Sequence, residues 1–190
     1  MTNKLSNGEL GYMHVQQMDD ESYREFFDQV MGKHVNKKAL IVDTRFNPGG
    51  WLHEDLVTFL NGKKYLDFIP RERKIGVEPA KKWIKPSLVM ISEGNYSDGH
   101  MFPVVYKTLG IGKLLGMPVG GTGTAVWWEM LHDGMTVFGI PEVGVMSLDG
   151  KYYENTDLNP DIKVTNDYNS MLMGKDVQLE TAVKELMGNK

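Results

Sequence analysis

Two short turns carry residue types suited to nucleophilic chemistry at a carbonyl. The first is Asp43-Thr44-Arg45-Phe46-Asn47-Pro48-Gly49-Gly50, and the second is Glu93-Gly94-Asn95-Tyr96-Ser97-Asp98-Gly99. The first directly follows the apolar run Ala39-Leu40-Ile41-Val42, and the second follows Leu88-Val89-Met90-Ile91 with Ser92 between. A serine between a buried strand and a helix start is well placed to attack, and the N–H of the next residue, Asp98, would lie beside the developing oxyanion. The paired glycines of the first turn permit backbone angles closed to other residues and leave N–H groups uncovered, which suits Gly49 or Gly50 to the same task. Each feature also has a plainer use. Ser97 stands where a helix N-cap belongs, and a tight turn needs glycine whatever its chemistry. The pattern is not the G-x-S-x-G elbow, because position 95 is Asn.

The elements that must position these turns follow from periodicity. Short apolar runs bounded by turn residues suit strands buried on both faces. Strands are expected near 12–15, 39–43, 88–91 and 113–117. Tyr23, Phe26, Phe27, Val30 and Met31 give one apolar helix face, with Asp19 or Asp20 as cap and Gly32 as stop. Leu52, Leu56, Val57, Phe59 and Leu60 give the next helix. Phe102, Val105, Tyr106 and Leu109 give a third, ending at Gly110. Pro103 is tolerable only in a first turn, so that helix must begin close after Ser97. Residues 63–85, rich in charge and with Pro70 and Pro79, are expected to wander over the surface with one short strand. Residues 126–146 suit antiparallel strands turning at Asp133-Gly134, with one of Trp127 and Trp128 facing the core. A last helix starts at Asp176. The alternation predicts an α/β fold with a mixed sheet. Residues 1–10 form a loose leader, and residues 11–190 form one core domain.

Composition narrows the chemistry. The 190 residues fit one domain, and 41% are hydrophobic, enough for a real core. With 21 basic and 25 acidic residues and a net charge of -4, nothing favours nucleic acid or an anionic membrane as partner. The absence of cysteine excludes disulfides, thiolate metal sites and a cysteine nucleophile. The 13 methionines are expected as core filler. His53-Glu54-Asp55 is expected on a solvated helix surface rather than around a metal, since adjacent helical residues point apart. Gly110-Ile111-Gly112-Lys113 is no P-loop, because Leu114 replaces the Ser/Thr.

The two turns occur in a longer ordered set. After them come Leu109-Gly110-Ile111-Gly112-Lys113, Gly120-Gly121-Thr122-Gly123 and Asn159-Pro160-Asp161-Ile162. Together, over roughly residues 11–165, they resemble the core of the tail-specific (C-terminal processing) serine protease family. The resemblance implies a ClpP/crotonase-like spiral of strand-strand-helix units. It also implies a serine endopeptidase that works through an acyl-enzyme and uses no metal or organic cofactor. Its substrate would be a peptide or an unfolded protein. One branch of the family uses a Ser-Lys dyad, with the lysine in the glycine-rich stretch. Here Gly120 to Ala125 holds no lysine, and Lys113 lies in the preceding strand. The other, tricorn-type branch uses a serine, a histidine base and a glutamate that helps hold the base. Its serine is followed by Asp-Gly, as Ser97 is by Asp98-Gly99. Carried over, this makes Ser97 the nucleophile and Asp98 with Gly49 or Gly50 the oxyanion hole. Glu154 becomes the orienting acid, with Glu142 as the alternative.

The branch places its base in a helical subdomain upstream, after a serine. No Ser-His pair occurs here, and the histidines are His14, His34, His53, His100 and His132. His100, three residues past Ser97, is the one stand-in that helical spacing offers, and a solvated place at the mouth of the site is the plainer expectation for it. The chain is therefore expected to be a core without its upstream helical and PDZ domains, inactive alone, with those domains as partners and a homo-oligomer as a further one. The compartment stays open between the cytoplasm and the bacterial envelope or periplasm. Two other readings stand beside this one: a non-catalytic core that binds peptides or other ligands, and a crotonase-type acyl-CoA enzyme.

Overall fold

The computed structural model describes residues 1–188. In chain order it begins with α1 (Thr2–Leu5), β1 (Leu10–His14), α2 (Asp20–Gly32), β2 (Ala39–Asp43) and α3 (His53–Leu60). A surface ribbon of β3 (Leu66–Phe68) and β4 (Gly76–Glu78) precedes β5 (Ser87–Ile91), α4 (Asp98–Thr108) and β6 (Lys113–Gly116). The chain ends with β7 (Thr124–Met130), β8 (Val137–Gly144), β9 (Ile162–Lys163), α5 (Tyr168–Leu172) and α6 (Val177–Met187).

The central sheet has the order β1-β2-β5-β6-β9, and all four pairings are parallel. The mixed sheet expected from the sequence is thus a purely parallel one. The antiparallel pairs β3–β4 and β7–β8 stand outside it as separate ribbons. Strands β2 and β5 are buried at every position, because helices cover both faces of a parallel sheet. Alternate residues therefore feed two cores. Leu40, Val42, Val89, Ile91 and Leu114 meet Phe26, Phe59, Phe102 and Tyr106 of α2, α3 and α4. Ala39, Ile41, Leu88, Met90 and Leu115 meet Leu179, Ala182 and Val183 of α6. Each Val, Leu, Ile, Met or Phe among them stabilises the fold by roughly 1.5–3 kcal/mol relative to exposure.

Caps sit where the sequence puts them. Asp19 Oδ1 accepts from Ser22 N at 2.8 Å, and Asp176 Oδ1 accepts from Leu179 N at 2.9 Å. The stretch expected as a loose leader is folded: α1 packs on α6, and Ser6, fully buried, donates its hydroxyl to Thr2 O and accepts from Leu10 N. Pro103 is not in the first turn of α4 but is its sixth residue. The carbonyl it leaves without a helical partner, Gly99 O, accepts instead from Asn95 Nδ2 at 3.0 Å. Both Trp127 and Trp128 are exposed, because the β7–β8 ribbon packs neither face on the sheet cores. The methionines divide. Met13, Met18 and Met90 fill core, while Met130, Met135, Met171 and Met173 are exposed. No helix among the described residues is long and apolar enough to cross a membrane.

Candidate active site

The two turns lie side by side at the carboxyl ends of β2 and β5, which are neighbours in the sheet. Open α/β sheets bind ligands at that edge. Buried side chains knit the turns together. Asn47 donates through Nδ2 to Val15 O and accepts at Oδ1 from Gly49 N, while its own carbonyl accepts from Tyr96 N at 2.9 Å. Asn95 Oδ1 accepts from Ser92 N and Oγ, and Asn95 Nδ2 donates to Thr44 Oγ1 as well as to Gly99 O. Phe46 N donates to Ser92 Oγ at 2.9 Å. These bonds couple the two turns.

Ser97 has φ 51° and ψ -121°, a backbone region that residues with a side chain rarely occupy. Such strain costs about 1–3 kcal/mol and persists only where the surroundings enforce it. Here the Ser97 N–H donates to Thr122 Oγ1 at 3.1 Å, and Ser97 O accepts from His100 N and Met101 N. Its Oγ makes no hydrogen bond among the described residues. The backbone kink thus does not come from capping, since no side-chain cap bond forms at α4.

The Asp98 N–H at the start of α4 also has no acceptor among the described residues. Against it lies Gly49, at φ 103°. A Cβ there would fall 2.7 Å from Ser97 Cβ and 3.0 Å from Asp98 N, so only glycine fits. Gly50, at φ 140°, is pressed on the Met18 carbonyl and is equally closed to a side chain. The two N–H groups differ. That of Gly49 is spent on Asn47, whereas that of Gly50 has no acceptor among the described residues.

The Asp98 carboxylate is buried and faces α3. Its Oδ2 accepts from Leu52 N at 2.7 Å and His53 N at 3.0 Å, capping that helix from across the site. Its Oδ1 accepts from His53 Nδ1 at 2.5 Å. That bond holds the His53 imidazole above its ordinary pKa, against the opposing effect of burial. His53, expected on a solvated surface, is therefore a half-buried partner of Asp98. Nothing in its sequence neighbourhood signals this.

The family model for peptidase family S41 matches residues 9–164. This chain belongs to peptidase family S41. It is 30% identical over 184 residues to the tricorn protease of Thermoplasma acidophilum, covering 96% of this chain and 17% of that one. A crystal structure of the tricorn protease superposes with a TM-score of 0.85 at 26% identity, over 98% of this chain and 19% of that chain. A photosystem II D1 C-terminal processing protease shares the fold alone, with a TM-score of 0.58 and 17% identity over 82% of this chain and 42% of that chain. The chain thus spans about a fifth of the length of the tricorn relatives it matches. The fold is the α/β, ClpP/crotonase-like one.

Glu154 is exposed, in a loop whose backbone grips the glycine-rich stretch beside Thr122. Asn155 N donates to Gly121 O at 2.9 Å, and Val145, bonded to Tyr153 N, donates to Gly123 O. The loop is held from the other side by Asp161, whose Oδ2 accepts from Leu114 N and whose Oδ1 pairs with Lys107 Nζ. Glu142 instead sits on β8, at the irregular step in the β7–β8 register. Lys113 Nζ is on the surface, paired with Glu185 at 2.6 Å. His100, expected at the mouth of the site, is fully buried. Its ring stands edge-on to Tyr153 at 6.5 Å, neither ring nitrogen has a hydrogen-bond partner among the described residues, and burial lowers its pKa. Its ring makes no hydrogen bond to Ser97. Thr122 and Asn95 are site residues that the sequence did not single out. A proline six residues into a helix is the signal that could have led to Asn95, because Gly99 O then needs another donor.

Proposed function

We propose that this domain hydrolyses peptide bonds through an acyl-enzyme at Ser97. The observation that carries this is the strained Ser97 backbone, which sets an unbonded Oγ beside an unclaimed Asp98 N–H at the end of a buried strand. Ser97 attacks the scissile carbonyl. The oxyanion that forms is held by Asp98 N–H and Gly50 N–H, with Gly49 leaving the room between them. Gly50 is the better second donor, because the N–H of Gly49 is already engaged.

The proton leaves Ser97 Oγ for an imidazole that is not among the five in this chain. His100 is buried away from that role, and His53 is committed to Asp98. Glu154 helps orient the incoming imidazole, and its loop contact with the Gly121–Gly123 backbone supports it over Glu142. A serine without its base is a weak nucleophile, so these 190 residues alone turn over peptides negligibly. The exposed apolar ribbon β7–β8 supports association with further protein surface. An acyl-CoA enzyme on this fold would have no task for Ser97 and would leave its strain without a reason.

The test is labelling by a fluorophosphonate, in residues 1–190 and in the whole protein, each beside its Ser97→Ala variant. Ser97-dependent labelling of the whole protein and little of residues 1–190 is the expected result. Rapid hydrolysis by residues 1–190 alone would remove the external base. No labelling of either would leave a core that only binds.

A further inference from the structure

We infer that His53 is a positioning residue for the oxyanion hole, acting through Asp98. This rests on the peptidase reading above, and it concerns how the two donors of the hole are kept in register. Those donors come from different elements. Gly50 N–H belongs to the turn between β2 and α3, and Asp98 N–H begins α4. The backbone bond from Tyr96 N to Asn47 O joins the two turns further out, and nearer the donors the Asp98 carboxylate links the start of α4 to the residues that follow Gly50. It takes three hydrogen bonds from the α3 side, from Leu52 N, His53 N and His53 Nδ1.

The two backbone bonds hold Oδ2. Among the described residues only the imidazole holds Oδ1, and it is the one partner of the three that a substitution can remove. Without it the carboxylate, 4% exposed, keeps one oxygen unpaired in a buried place and can turn about its Cβ–Cγ bond. Asp98 N–H is on the same residue, so loosening the side chain loosens the donor. Oxyanion donors work by being fixed before the charge develops, and displacements near 1 Å at such a site cost on the order of a hundredfold in rate. The imidazole is itself braced. Trp51, one residue past Gly50, stands edge-on to it at 5.8 Å.

The test uses the whole protein, with peptide-ester turnover and Ser97→Ala as control. An Asn side chain places an amide N–H near the position of Nδ1, whereas Gln places it one bond further out. His53→Leu is expected to lower kcat by about ten- to a hundredfold with KM within about twofold. His53→Asn should recover most of that loss, and His53→Gln should not. If the Leu variant does not fold, the Asn and Gln pair carries the comparison, with thermal unfolding confirming that both are native. Equal kcat for Asn and Gln, a change confined to KM, or wild-type kcat in the Leu variant would each overturn the inference. Wild-type turnover that does not depend on Ser97 would instead remove the peptidase reading itself.

Discussion

At the scale of the residue, the site is built from backbone conformations that side chains resist. Ser97 at φ 51° and Gly49 at φ 103° face each other closely enough that a Cβ on Gly49 would meet that of Ser97. The strain at Ser97 has a measurable consequence. Replacing it by Ala removes Oγ, which makes no hydrogen bond among the described residues, and keeps the Cβ that the backbone resents. Replacing it by Gly removes both. Glycine pays more chain entropy on folding, but the relief at a positive φ is larger. Ser97→Gly should therefore be more stable than Ser97→Ala by about 1 kcal/mol, a difference of roughly 2–4 °C in Tm for a domain of this size. Calorimetry of the two variants decides it. An alanine variant as stable as the glycine variant would mean that the backbone is not strained, and would take away the argument that the fold spends stability to present this serine.

At the scale of the element, the instructive case is α4. Its stripe of Phe102 and Tyr106 and its start after Ser97 were legible in the sequence, as were buried β2 and β5, because apolar period and turn residues are local signals. What was not legible depends on partners far along the chain. Pro103 was expected in a first turn and lies in the second, because Asn95 supplies the donor that the proline withholds from Gly99 O. His53 was expected to be solvated and instead meets a carboxylate 45 residues away. His100 was expected at the surface and is buried under Tyr153. Asn95→Ala should destabilise the domain by about 3 kcal/mol, since it strands Gly99 O and Ser92 N in a buried turn. Pro103→Ala gives residue 103 an N–H that reaches Gly99 O. In the Asn95→Ala background it should restore about 1 kcal/mol, and in the wild type it should change little. A double-mutant cycle by denaturant unfolding measures the coupling. Additive effects would show that Asn95 does not stand in for the missing helical bond.

At the scale of the whole molecule, the site side of the sheet and the α6 side are joined through Arg45, in the turn that also carries Gly49 and Gly50. Its guanidinium donates to Asp43 at 2.6 Å and to Asp176 at 2.8 Å, and it reaches Gln178 Oε1 at 2.9 Å. Asp43 also accepts from Tyr12 OH of the edge strand. The network thus ties β1, the end of β2 and the N-cap of α6 together. Burial works against a charged Asp176, but Arg45, Leu179 N–H and Asn166 outweigh it and hold its carboxyl below the ordinary range. A carboxylate depressed in the folded state stabilises it fully above its unfolded pKa, near 3.8, and loses that contribution as pH falls through the lower folded value. Arg45→Met removes the cation and leaves Asp43, 3% exposed at its side chain, without its ion-pair partner. Breaking a buried pair from one side costs about 3–5 kcal/mol. The variant should lose about that much stability at pH 7, and the gap to wild type should narrow once pH drops below about 3.8. Hydrogen exchange at pH 7 should show α6 opening before the α2–α4 side, because α6 loses its N-cap anchor while Leu179, Ala182 and Val183 keep only their packing on the sheet. Equal protection of α6 in both proteins would place the coupling between the two sides of the sheet elsewhere than in Arg45.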